Sequence, residues 1–344
     1  MPFWEQSKIL VKTAVSSCLV GSGLLRIVEG ISKPGITILM YHRINDQDDA
    51  LGLAICPDYF DAQLQYLRRR FWVLSLPDAI SRLESGRLDR HAVVITFDDG
   101  WRDNMTFAFP LLRKYEIPAT IFLVCDAVEK GTFGWHPFDR AILATREGLL
   151  DLSTFGFGIH SLRNLGEKNE AIAVLHQELK MVKNDRRLEV VAWVIGKLGG
   201  GRGERVMLSW KELEEMVASG LINIGAHTLS HPILTRISAE EAWTEIHDSK
   251  QILEEKLKVP VDFFAYPNGG PPDFNEEMEH LVAACGFRAA CSSIPGRNTD
   301  LTSRFALRRM DITYGICRGA GGNYSRNMFS TKVSGVLEGI LFRT

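Results

Sequence analysis

The stretch Val93-Val94-Ile95-Thr96-Phe97-Asp98-Asp99-Gly100 limits the fold of this chain more than any other. Apolar and β-branched residues run straight into two adjacent carboxylates and a glycine. The run reads as a buried strand. Two charges at its end cannot lie unpaired in a core. They are expected at the open mouth of a sheet or barrel, at the carboxyl end of the strand, where α/β folds carry their chemistry. Taken alone, the same residues also suit a turn followed by a helix N-cap, so partners elsewhere in the chain must decide.

The remaining pattern alternates strands with helices. Residues 36–42 form a strand-like run after the turn signal Lys33-Pro34-Gly35. Phe60, Leu64 and Leu67 space a helix over 57–70, followed by a short strand at 71–76 and a short helix at 77–83. Residues 104–115 read as a helix with a kink or late start at Pro110, and 119–124 as another buried strand. Over 126–205 strands disappear and polar amphipathic helices take over, including 167–184, which predicts a helical insertion that could act as a lid. Alternation resumes with a helix at 210–219 and a strand at 222–226. A helix at 239–258 follows, opened by a Ser238/Glu241 capping box. Strands at 261–266, 287–292 and 305–312 and a helix at 276–285 complete the series. Such alternation implies parallel pairing. About seven or eight strands favour an α/β fold of the distorted (β/α)7-8 barrel type with a helical insertion. The plan is an N-terminal amphipathic segment (1–33), a barrel (34–320) containing the insertion, and a C-terminal tail (321–344).

Composition narrows the function classes. A formal charge of −2 gives no basic footprint for nucleic acid. The six cysteines include no C-x-x-C pair, which speaks against a zinc knuckle or redox motif and toward a reducing compartment or an unbridged protein. Residues 9–28 are too polar for a membrane span, and Lys12 spoils a signal peptide. An amphipathic segment over 8–28 either packs on the domain or makes peripheral membrane contact. A cytoplasmic or membrane-associated location is favoured over secretion.

Chemistry enters at His227-Thr228-Leu229-Ser230-His231, directly after a strand. Histidines four apart face the same way if the segment is helical, and two imidazoles on one face suit a divalent metal. A carboxylate is the usual third ligand, and parallel topology brings the Asp98-Asp99 strand end close. One carboxylate can then bind the metal while its neighbour acts as general base toward water.

Together, Thr96-Phe97-Asp98-Asp99-Gly100 and His227-Thr228-Leu229-Ser230-His231 resemble the polysaccharide deacetylases, carbohydrate esterase family four. The resemblance spans about residues 37–312. It implies a distorted barrel that removes acetyl groups from sugars with one divalent metal, commonly zinc, with cobalt or nickel as alternatives. It also implies Asp98 as base and Asp99, His227 and His231 as metal ligands. Phe263-Phe264-Ala265-Tyr266-Pro267-Asn268-Gly269 resembles the family's third motif, so the Asn268 backbone N–H is expected at the oxyanion. Ala265 stands where an arginine commonly orients the base. Arg309 is the candidate replacement and Arg308 its competitor. Tyr41-His42 resembles the subgroup with circularly reordered motifs that deacetylates poly-β-1,6-N-acetylglucosamine, which makes His42 the expected general acid. A strand histidine bonded to a carbonyl is the structural alternative.

Weaker features remain. Trp135 could stack on a sugar or simply pack. Trp101 and Asp103 could touch ligand or orient the site. His91, His160, His176 and His247 have no visible partner, and the charges of 167–187 read as a solvated helix face. The expected partner is an acetylated polysaccharide or oligosaccharide. Alternative functions are hydrolysis of a small amide or cyclic imide, or a non-catalytic carbohydrate-binding role.

Overall fold

The computed structural model describes residues 3–46, 52–133, 135–199, 205–321 and 323–335. Eight strands make one sheet: β1 (Ile36–Tyr41), β2 (Trp72–Val73), β3 (Ala92–Phe97), β4 (Ala119–Leu123), β5 (Ile222–Ala226), β6 (Phe263–Ala265), β7 (Ala289–Cys291) and β8 (Arg309–Asp311). Their order is β7-β6-β5-β4-β3-β1-β8, with β2 beside β3. Every pairing in this sheet is parallel. Leu307, just before β8, bridges Cys291 of β7 in parallel. The sheet therefore nearly closes into a barrel, as the alternation predicted.

Period-two alternation sorts the strand residues. Ile36, Ile38, Ala92, Val94, Phe122, Phe263, Ala265 and Leu307 share one buried cluster inside the sheet. Leu39, Tyr41, Val93, Ile95 and Phe97 belong to another, with residues of the surrounding helices Pro57–Arg70, Ala239–Leu257 and Glu276–Ala284. Continuing the inner register past the strand ends reaches His42 on β1 and Asp98 on β3. Both stand at the carboxyl mouth for that reason.

Capping chemistry fixes the helix starts. Ser209/Glu212 and Ser238/Glu241 both form reciprocal capping boxes. At Pro110 the chain makes a π turn over Asn104–Ala108 before the α-helix Phe109–Tyr115, which places the proline in the first turn, where its missing N–H costs little.

The insertion departs from the all-helical expectation. It contains an antiparallel hairpin, Leu149–Asp151 with Ile159–Ser161. Three-residue strands are too short to register as alternation, and in the first only Leu150 is buried. The helix expected over 167–184 spans Leu165–Lys180, and a second helix, Asn184–Leu198, follows after Lys183 (φ −59°, ψ 151°). Ile172, Leu175, Leu179, Val190 and Val194 build a core of their own with Phe138 and Ile142. The charges of 167–187 are not all a solvated face: Lys168 donates to the Leu143 and Thr145 carbonyls at 2.9 and 2.6 Å, and Arg187 is half-buried.

At the N-terminus, helices Phe3–Gly21 and Leu24–Ile31 succeed each other. No single described helix is long and apolar enough to cross a membrane, whereas Ile9–Gly21 with Leu24–Ile31, bent by 77°, passes that test as a pair by length and composition. The Ser16 and Thr331 hydroxyls lie 2.9 Å apart, tying the first helix to Arg326–Ser334. The described part of the segment expected as a tail is therefore a packed helix, with Phe329 and Val333 fully buried. Thr37 of β1 donates to the Val333 carbonyl at 3.1 Å. Phe329→Ala should destabilise the protein by about 3–5 kcal/mol. An unchanged denaturant midpoint would show that this helix is not part of the core.

Candidate active site

β3 delivers Asp98 in the inner register, and the chain then turns sharply. Asp99 has φ 70° and Gly100 φ 84°. A Cβ on Gly100 would lie 2.7 Å from Leu123 Cδ2, so both conformation and space require glycine there. The left-handed Asp99 is the kind of local strain that a functional position retains. The turn sends the two carboxylates to different partners.

Asp98 is buried and faces Arg309. The guanidinium donates from Nη1 to Oδ1 at 2.7 Å and from Nη2 to Oδ2 at 2.8 Å, while its Nε donates to the Ser292 carbonyl at 2.8 Å. Burial alone pushes the Asp98 carboxyl up, but Arg309, followed by His227, pulls it down, and the net value lies below the ordinary one. Arg308 points away and donates to the Pro295 carbonyl at 3.2 Å. The arginine absent at Ala265 is thus replaced in space by one from β8. The Ala265 carbonyl instead accepts a hydrogen bond from His227 Nδ1 at 2.7 Å.

Asp99 faces the histidines. Its Oδ2 accepts from Trp101 Nε1 at 3.0 Å, which leaves Oδ1 for His227 Nε2 at 3.7 Å and His231 Nε2 at 3.6 Å. The segment 227–231 is not helical, contrary to the helical spacing considered for it. Thr228 (φ 68°) and His231 (φ 62°) are left-handed, and the loop is held by Glu245, whose carboxylate accepts from the Leu229 and Ser230 amides at 2.8 and 2.9 Å. The imidazoles converge through this turn rather than through a helix face. His231 also packs edge-on against Phe133, 5.1 Å between centroids.

These three residues form the one Asp/His/Cys/Glu group among the described residues whose donor atoms all lie within 4.8 Å of one another. The donor set fits a divalent cation. Ligand bonds of about 2.0–2.2 Å in tetrahedral geometry separate donor atoms by about 3.4 Å, close to the spacing seen. The hydrogen bond at His227 Nδ1 fixes its tautomer, leaving Nε2 as the lone-pair donor. Burial lowers the basicity of both histidines, and His227, Arg187 and Lys180 depress His231 further, which favours the neutral form that ligates a metal. His231→Ala should lose bound metal on dialysis. Full retention by elemental analysis would refute the ligand set.

The cleft around these groups has a volume of about 540 Å³ and is lined by His42, Asp98, Asp99, His227, His231, Asn268 and Asp311, among others. The seven residues expected in catalytic or metal-binding roles therefore come to one place: six line the cleft, and Arg309 is bonded to Asp98. Asn268 is left-handed (φ 60°). His42 Nδ1 and Asp311 Oδ1 are buried without a hydrogen-bond partner among the described residues. Asp311 was missed in the sequence, although it lies two residues beyond Arg309 on the same strand and hence in the same register. Burial raises its carboxyl, and His42 opposes the rise. Asp103 braces the loop after His42, accepting from Arg43 Nε at 2.8 Å and Asn45 Nδ2 at 2.9 Å, and Asn104 donates to the His42 carbonyl at 2.9 Å. His176 has a partner after all, Asp139 Oδ1 at 2.7 Å, and lines the cleft. His91, His160 and His247 bond Glu29 O, Phe157 O and Asp248 away from it. The Trp135 side chain lies outside the described residues.

The polysaccharide deacetylase family model matches residues 85–290, more than half of the chain. The chain belongs to the polysaccharide deacetylase family. The deacetylase is 21% identical to YxkH of Bacillus subtilis over 295 residues, 85% of this chain and 77% of that one. It is 28% identical to the poly-β-1,6-N-acetyl-D-glucosamine N-deacetylase of Staphylococcus epidermidis over 153 residues, 38% of this chain and 51% of that one. Among solved structures it shares its fold with the Streptococcus pyogenes deacetylase PplD (TM-score 0.57, 20% identity, 85% of this chain and 97% of that one). It also shares its fold with IcaB from Ammonifex degensii (TM-score 0.52, 20% identity, 88% and 98%). The protein is accordingly a deacetylase, a hydrolase of the family that acts on acetylated polysaccharides.

Proposed function

We propose that this deacetylase removes N-acetyl groups from an exopolysaccharide or its oligosaccharides, using a divalent metal held by Asp99, His227 and His231. The observation that carries the reading is the division of labour between adjacent carboxylates, one locked by Arg309 and the other turned to two histidines. The activity for which the staphylococcal relative is named supports the glucosamine substrate class. A bound divalent cation, most simply zinc, supplies Lewis-acid polarisation and a more acidic water. Asp98, oriented by Arg309, takes the proton from the attacking water. The Asn268 backbone N–H stabilises the oxyanion that develops. His42 gives a proton to the departing amine, and Asp311 beside it steadies the imidazolium form. The exposed apolar side chains Leu10, Val11, Leu24, Ile27 and Ile31 support peripheral membrane contact by the N-terminal helices.

The test is acetate release from a panel of N- and O-acetylated glycans, before and after chelation and with zinc, cobalt or nickel restored. Activity on N-acetylglucosamine oligomers that is lost on chelation and regained with metal is expected. Activity confined to small amides would instead favour the alternative substrate class.

A further inference from the structure

We propose that Trp101 is the positioning residue of Asp99, and that the insertion sets the metal affinity of the site through it. The inference rests on the reading of Asp99, His227 and His231 as metal ligands. It adds the residue and the structural unit that hold one of those ligands in place.

The geometry begins at the turn after β3. Left-handed Asp99 and Gly100 fold the chain back on itself, so that the side chain two residues on reaches the carboxylate. The Trp101 indole Nε1 donates to Asp99 Oδ2 at 3.0 Å. Trp101 is 2% exposed and Asp99 4%, so solvent does not supply a substitute donor. A carboxylate that loses this donor is free to turn about its Cβ–Cγ bond. Turning it carries Oδ1 away from His231 Nε2 and His227 Nε2, which lie 3.6 and 3.7 Å from it. The indole N–H thus holds one oxygen back and presents the other to the cation.

The indole is itself held on several sides. The Arg43 guanidinium carbon lies 4.4 Å from the ring centroid, and Arg43 Nε donates to Asp103 at 2.8 Å. Phe133 meets the ring edge-on at 5.7 Å. Residues 206–208, where the insertion returns to the barrel, pair with the chain on both sides of Trp101. The Arg102 amide donates to the Val206 carbonyl at 2.8 Å, and the Leu208 amide donates to the Gly100 carbonyl at 2.9 Å. Trp101 accordingly belongs to the buried core of the insertion, with Phe133, Leu150, Leu175, Val194 and Met207. One side chain therefore spans that core and the ligand at the barrel mouth. Hydrogen bonds weaken steeply with misalignment, so a looser core around the indole loosens Asp99 as well. The insertion acts as a buttress for this ligand, and by linkage a bound metal steadies the insertion.

The test measures zinc dissociation constants on the full chain by competition with a chromophoric chelator, and cobalt(II) absorption as a report of ligand geometry. Trp101→Phe keeps a ring and removes the N–H. It should weaken zinc binding by about 10–100-fold and alter the cobalt(II) spectrum. Leu150→Ala lies in the hairpin of the insertion, outside the lining of the cleft, and should weaken zinc binding by about 2–30-fold. The two effects should not add in the double variant, because both act on one hydrogen bond. Unchanged zinc affinity and cobalt(II) spectrum in Trp101→Phe, even with a lower thermal midpoint of the metal-free chain, would make Trp101 a packing residue and overturn the proposal. Additive effects, or unchanged affinity in Leu150→Ala, overturn the part assigned to the insertion. Should either variant fail to fold, hydrogen exchange of the unaltered chain decides. Zinc should slow exchange in Leu149–Asp151 and Leu165–Lys180, and exchange there that ignores zinc overturns the coupling. If the unaltered chain binds no divalent metal, the metal reading itself fails and the proposal falls with it.

Discussion

Asp98→Asn is expected to lower acetate release by about 10²–10⁴-fold, the usual contribution of a positioned general base, while the protein keeps one equivalent of divalent metal. The two halves of this outcome follow from the geometry. The proposed metal ligands Asp99, His227 and His231 do not include Asp98, and the turn at Asp99 directs the neighbouring carboxylates to different partners. Asparagine preserves shape but offers no basic oxygen pair. Its amide N–H₂ would also face an Arg309 donor, so one of the two bonds at 2.7 and 2.8 Å is lost. Some loss of thermal stability should accompany the change, and rates are therefore compared where circular dichroism shows both proteins folded. Unchanged acetate release by the variant would exclude Asp98 as the base, and loss of metal together with activity would move it into the ligand set.

Arg309→Met should be the most destabilising single change at the site, at about 3–5 kcal/mol near neutral pH, because it leaves a buried carboxylate without its counter-charge. Arg309 and Asp98 are both almost fully buried, so solvent cannot take over the arginine's role. In the unaltered protein the folded Asp98 value lies below the ordinary carboxylate value. The pair therefore stabilises the fold above the unfolded carboxylate range, and its contribution is lost as pH falls through the depressed folded value. In the variant the counter-charge is gone, burial dominates, and the carboxyl rises. The stability gap should then be widest near neutrality and shrink as pH falls from the raised folded value of the variant to the depressed folded value of the unaltered protein, since the carboxyl titrates alike in both unfolded chains. Denaturant titrations across pH measure this directly. A gap independent of pH would mean that Arg309 contributes packing rather than charge. Arg308→Met, which removes an outward-facing group, should leave both stability and its pH dependence nearly unchanged.

The sequence by itself determined the barrel and the candidate residues at its mouth, because both are written in local patterns. A buried run ending in two carboxylates fits a strand end or a capped turn, the His227/His231 pair decides for the strand end, and period-two alternation carries Asp98 and His42 inward from it. Helix caps such as Ser238/Glu241 are likewise local, and their boundaries were legible. Short strands inside the insertion were not, since three residues hold no period. Nor was the helix at Arg326–Ser334, whose burial depends on contacts with residues about 300 positions earlier. Tertiary structure alone decided which arginine meets Asp98, because Arg308 and Arg309 are adjacent and only the register of β8 against β1 turns one inward. It alone turned the His227–His231 pair through left-handed residues instead of a helix. It also brought Asp311, Lys180 and Arg187 to the cleft. Such convergence follows from parallel strand ends and packed helices meeting in space, and no spacing along the chain records it.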